Sequence, residues 1–89
     1  LQKQGIERRR VVAGIRVLTV ERPMTLRELI NVVMSRPLDC EKVPKRLLAA
    51  RSVWVNGVPR MEGAESEIID AGKPQILELG TLMWAIKRR

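Results

Sequence analysis

The sequence predicts an α+β domain: two short amphipathic helices packed on a small, mostly antiparallel sheet. Three observations predict it. An apolar stripe of helical period follows a capping box at Thr25–Glu28, and a second helical segment rich in Lys and Arg runs up to Arg51. Short β-branched segments broken by Asn56-Gly57 and Gly80-Thr81 turns make up most of the rest. With 89 residues, 45% of them hydrophobic, the chain is one small domain near the size at which a single core suffices.

Residues 1–10 are polar and end in Glu7-Arg8-Arg9-Arg10, which reads either as a basic arm for phosphate or as a linker tail. Val11 to Val20 is rich in β-branched residues, with Ile15, Val17 and Thr19 alternating against Arg16, Leu18 and Val20; this predicts a strand closed by Pro23. In Thr25-Leu26-Arg27-Glu28 the Thr hydroxyl can accept from the third helical N–H while the Glu carboxylate reaches back. Leu26, Leu29, Ile30, Val33 and Met34 then recur three and four apart, predicting a helix over Leu26 to Ser35 whose stripe faces the core. Arg36-Pro37 ends it, because the residue before proline is pushed out of helical angles. Asp39 is placed to cap a second helix whose first turn tolerates Pro44. Its buried side is Val43, Leu47, Leu48 and Ala50, while Lys42, Lys45 and Arg46, with the small Ala49 among them, project elsewhere.

Ser52 to Val55 reads as a strand with Val53 and Val55 on one side and Trp54 on the other. Asn56-Gly57 supplies the positive φ angles of a tight turn, and Val58-Pro59-Arg60 carries the chain out. Residues 62–67 are acidic and contain Gly63, a loop by composition. Ile68-Ile69 predicts a scrap of strand before the turn Asp70–Pro74, and Gln75–Leu79 and Leu82–Ile86 predict two strands joined at Gly80-Thr81. Lys87-Arg88-Arg89 ends the chain in positive charge.

Seventeen basic residues stand against 10 acidic ones, a net charge of +7. Residues 1–60 hold 13 basic and 5 acidic groups, or +8, and residues 61–89 hold 4 and 5, or −1, so the excess lies wholly in the first two thirds. Such a field attracts phosphate; a surface tuned only for solubility is the plainer alternative. No apolar run approaches the ~18 residues of a membrane span, and no secretory leader is evident. Cys40 is alone, so no internal disulfide forms, and with no histidine neither a Cys/His metal site nor a Ser-His-Asp or Cys-His catalytic arrangement can be built. The sequence therefore predicts no catalyst, cofactor or metal. Beginning at Leu1 rather than Met, it predicts an excerpt of a longer chain that carries any chemistry elsewhere.

Arg36, Lys42, Lys45, Arg46 and Arg51 fall around the second helix and its passage into the strand, and Arg60 follows the turn, where hairpin geometry brings it back towards Arg51. Both side-chain types contact phosphate, Arg with a fork that spans two oxygens. Lys and Arg near a helix end also suit the macrodipole whether or not they bind anything. Tyr and Phe are absent, which removes most flat surfaces for stacking single-stranded bases. A binder of this composition reads backbone and shape, the mode by which duplex RNA is recognised. Of the two tryptophans, Trp54 either packs on a ribose or base or covers the core edge, and Trp84, between Leu82 and Ile86, belongs to the core.

The run Leu47-Leu48-Ala49-Ala50-Arg51-Ser52-Val53-Trp54-Val55-Asn56-Gly57 resembles the RNA-binding fold first named for small-subunit ribosomal protein S-four. In that family a second helix ends in Leu-Ile-x-x-Gly and is followed by x-Val-x-Val-Asn-Gly; here Arg51 replaces the usual glycine. Thr25 to Ile30 sits where the family places its leading helix. Ile76 to Lys87 is similar to the final strand pair of the module that ends tyrosyl-tRNA synthetases, with Thr81 and Trp84 where Lys and an aromatic Tyr or Phe are usual. The resemblance covers residues 24–89 and leaves 1–23 as a linker or extension with a strand in it. It implies binding of structured RNA, tRNA above all, by Arg36, Lys42, Lys45, Arg46, Arg51 and, less directly, Arg60. It also implies a parent chain that is a homodimeric tyrosine-tRNA ligase of the cytoplasm or mitochondrial matrix, without membrane contact. The runner-up is a β-grasp regulatory or protein-interaction module, which shares a strand, a Thr-Leu-x-Glu-Leu helix and a Val-Asn-Gly strand. A purely structural interaction domain, contacting partners through the acidic 62–70 loop, is a third class. A helix across residues 40–50 favours the RNA-binding module; an extended strand there favours β-grasp.

Overall fold

The computed structural model describes residues 14–89. The Glu7–Arg10 lead-in and the first residues of the Val11–Val20 segment lie outside them. Within them the chain forms β1 (Ile15–Val20), β2 (Met24–Thr25), α1 (Leu26–Val33), α2 (Lys42–Ala49), β3 (Val53–Val55), β4 (Val58–Pro59), a 3₁₀ turn (Ala64–Ser66), β5 (Ile68–Ile69), β6 (Gln75–Leu79) and β7 (Leu82–Arg88). This is the α+β architecture of two helices and a mostly antiparallel sheet.

The main sheet has strand order β1-β7-β6-β3-β4, and only the β1–β7 pair is parallel. Period-two alternation sends Val53 and Val55, Leu77 and Leu79, Trp84 and Ile86, and Val20 into one core with Leu26, Leu29, Ile30 and Leu48 of the helices. Trp84 is buried there, as its flanking residues predict. Both predicted hairpins are present. Asn56 and Gly57 take φ of 53° and 80° between the paired Val55 and Val58, the geometry of a type I′ turn. The Asn56 side chain adds a second role: its Oδ1 accepts from the Ile76 amide at 2.8 Å, tying the turn to β6. β1 lies at the sheet edge in register with β7, Ile15 opposite Met83 and Val20 opposite Arg88, so the strand expected within residues 1–23 packs with the 24–89 unit.

At α1 the capping box forms in full. Thr25 Oγ1 accepts from the Glu28 amide at 3.1 Å, and the Thr25 amide donates to Glu28 Oε1 at 3.0 Å. Arg22 also reaches that carboxylate at 3.3 Å, and it does most, ahead of the Thr25 amide, to hold the Glu28 pKa below its ordinary value. The helix stops two residues short of the predicted Ser35. Ser35 takes φ 57°, its amide donates to Val32 O and the Arg36 amide to Asn31 O at 2.8 Å, which together close a Schellman motif. That early reversal leaves Met34, expected on the buried stripe, 39% exposed.

Asp39 does not cap α2. The residue at that position is Glu41, and it makes no side-chain capping bond. The cause lies in the loop before it. Asn31, fully buried on α1, donates from Nδ2 to Leu38 O at 3.0 Å and to Cys40 O at 2.9 Å, while the Cys40 amide turns back to Pro37 O. Residues 37–40 are thereby pinned, and helical angles begin only after them. Pro44 then falls in the first helical turn, where a missing N–H costs nothing. Asn31→Ala removes both loop bonds and strands two carbonyls. The expected outcome is a loss of about 1–3 kcal/mol in urea unfolding at unchanged m value; an unchanged midpoint would show that the loop holds itself.

Candidate nucleic-acid interface

The eight residues of α2 divide cleanly. Lys42, Lys45, Arg46 and Ala49 are spaced three and four apart and lie within about 100° of one another around the helix axis. All four are exposed, whereas Pro44 and Leu48 opposite them are buried and Val43 and Leu47 half-buried. The amphipathic pattern that packs α2 against α1 and the sheet is therefore what aligns three cations on one outward ridge. Ala50, expected on the buried side, is exposed instead, because it is already the C-cap.

Arg51 extends the ridge beyond the helix end. The Arg51 amide donates to Leu48 O at 3.0 Å and the Ser52 amide to Leu47 O at 3.1 Å, a second Schellman motif, with Arg51 at φ 58°. Glycine is the usual occupant of that left-handed position, since an L side chain there costs roughly 1–2 kcal/mol. The chain accepts the strain and places an exposed guanidinium where the helix carbonyls end.

The remaining two predicted cations part company with this group. Arg36 is exposed on the loop between the helices, one residue past the α1 reversal, and not on the α2 face. Arg60 does return beside β3, its amide donating to Val53 O at 2.9 Å, as hairpin geometry predicts. Its side chain, however, is half-buried against Glu67, with Nε at 2.9 Å and Nη2 at 3.1 Å from the two carboxylate oxygens. Arg60 is thus committed within the fold.

Several arginines away from the ridge are committed within the fold. Arg22 faces Glu28, Arg88 faces Asp70 at 3.1 Å, Arg89 faces Glu21 at 3.7 Å, and Arg16 covers the Trp84 ring at 5.8 Å. Among the described residues, Arg36, Lys42, Lys45, Arg46 and Arg51 form no ion pair. Their charge is directed at solvent and at whatever anion approaches.

Two hollows flank the ridge. One, of about 180 Å³, is lined by Arg27 of α1, Glu41, Lys45 and Glu65. The other, of about 440 Å³, is lined by Leu48, Ala49, Arg51, Met61 and Glu62. The acidic segment, a loop by composition, carries the 3₁₀ turn Ala64–Ser66 and packs on both helices. Arg27 is the residue of this region that sequence patterning passes over. Its Nε is shut from solvent without an acceptor, yet nothing in a lone Arg beside Leu26 signals that position.

Trp54 is half-buried on the sheet face opposite the helices, opposite Glu78 on β6 and Pro59 on β4. It is therefore not part of the ridge. Among the described residues no group of three or more His, Cys, Asp or Glu is placed to hold a metal ion, and no helix is long and apolar enough to cross a membrane. No protein-family model matches the chain, and no curated protein is significantly similar to it.

Arg51→Gly relieves the left-handed strain. The expected gain is roughly 0.5–1 kcal/mol in chemical denaturation, less than the full strain because glycine is more flexible when unfolded. A loss of stability would mean that the Arg51 side chain makes a compensating contact.

Proposed function

We propose that this chain is an RNA-binding module that grips structured RNA, tRNA above all, through the backbone, as the C-terminal module of a tyrosyl-tRNA synthetase. The observation that carries it is the outward ridge of Lys42, Lys45 and Arg46 running on to Arg51, its charges unpaired among the described residues, whereas Arg22, Arg60, Arg88 and Arg89 are each met by a carboxylate. Phosphates are the ligand such a ridge suits, since neutralising each one releases counterions. With no Tyr or Phe in the chain, a folded backbone is a better match than splayed bases.

Local features support the kind of module as well. A helix, not a strand, occupies Lys42–Ala49, which favours this reading over β-grasp. The Asn56-Gly57 hairpin follows it directly, and Arg51 holds the left-handed angle at the position where the family has glycine. The ligase activity, the dimer and the cytoplasmic or mitochondrial setting belong to the proposed parent chain and follow from the resemblance alone.

The test is tRNA binding across a salt series, for the wild type and for Lys45→Glu/Arg46→Glu. Wild-type affinity should fall with a log–log slope of about −0.7 to −0.9 per phosphate contacted. The double variant should bind at least tenfold more weakly with a shallower slope, at an unchanged unfolding midpoint because neither residue is buried. Salt-independent or absent binding by the wild type would favour an interaction module that does not bind RNA.

A further inference from the structure

A bare cationic ridge attracts any polyanion, since phosphate contacts alone carry no sequence information. What lies beside the ridge therefore matters, and on one flank the chain has placed acid. Glu62 lines the hollow shared with Arg51, Glu65 lines the hollow shared with Lys45 and Arg27, and Glu67 holds Arg60 in an ion pair. Three consecutive carboxylates of one short segment thus stand next to cations at three places. The segment is held there: the Leu26 amide donates to Glu67 O at 2.8 Å, and β5 pairs with β2, Met24 opposite Ile69. Neither Glu62 nor Glu65 forms an ion pair with a described residue, so neither is needed to neutralise the fold.

Resting on the RNA-binding reading, we propose that Glu62 and Glu65 are selectivity residues that restrict the ridge to folded RNA by repelling flexible polyanions from its flank. A flexible strand gains affinity by wrapping from the ridge crest down into the adjoining hollows. There its phosphates meet carboxylates well inside the ~8 Å screening length at physiological salt. A stiff helical backbone bears on the crest alone and feels them less. Discrimination by repulsion of the wrong partner is the principle.

The test compares binding of a tRNA mixture and of poly(U) to the wild type and to Glu62→Gln/Glu65→Gln, at about 0.1 M salt, with thermal unfolding as the folding control. Removing the two charges should tighten poly(U) about fivefold and tRNA by less than twofold, so that the tRNA preference falls. In parallel, Glu67→Gln releases Arg60 and should steepen the poly(U) salt slope by about 0.7, one added phosphate contact. If the wild type binds tRNA but the preference is the same in the variant, selectivity by the acidic flank is wrong while the RNA-binding reading stands. If the wild type binds neither polymer, both fall together.

Discussion

The buried amide of Asn31 is the constraint on which the candidate interface depends. From α1 it bonds two carbonyls of the following loop, Leu38 O and Cys40 O, and so fixes where α2 begins. The start of a helix sets the rotation of every residue after it. A one-residue shift turns the α2 faces by about 100°, enough to swing Leu47 or Leu48 towards solvent and Lys45 into the core. Burying a polar side chain is costly unless it is hydrogen-bonded. Here the bonds made are to backbone, so a well-packed alternative start of α2 would strand them. One amide thereby couples core packing to the direction in which the ridge points.

The same economy appears at the helix ends. Both helices close in Schellman motifs whose left-handed residue is not glycine: Ser35 at φ 57° and Arg51 at φ 58°. At Ser35 the reversal delivers Arg36 to solvent and the chain to the Asn31 clamp. At Arg51 the strain sets a guanidinium at the end of the ridge, just before β3. Relaxing that strain would cost the surface a charged side chain at this point.

Much of the fold was legible in the sequence because its signals are local. Thr25 and Glu28 announce a cap, Asn56-Gly57 and Gly80-Thr81 announce two-residue turns, and the apolar spacing of Leu26, Leu29 and Ile30 announces a buried face. The boundaries that differ share one cause. Met34 and Ala50 lie at helix ends, and with Ser35 and Arg51 in place of glycine no residue type marks the left-handed turn itself, Pro37 bounding only the first helix from two residues beyond. Asp39 was an apt capping residue in a loop already occupied by other bonds. The ridge itself was readable from spacing alone, since Lys42, Lys45 and Arg46 occupy one face of any helix that includes them. Capture of Arg60 by Glu67, packing of the acidic segment on the helices, and the place of Arg27 depend on tertiary approach between segments far apart in the chain.

Charge across the domain is accordingly organised by partner. Carboxylates meet Arg22, Arg60, Arg88 and Arg89 and leave the cations of the second helix facing outward without an ion pair among the described residues. The measurement that tests this most directly is the amide chemical-shift footprint of a tRNA titrated into the labelled domain. Shifts concentrated on α2 and the Arg51–Ser52 turn, with β1 and the Arg88–Arg89 end undisturbed, are the expected result. A footprint centred on the Trp54 face of the sheet or on the C-terminal arginines, with α2 silent, would contradict it.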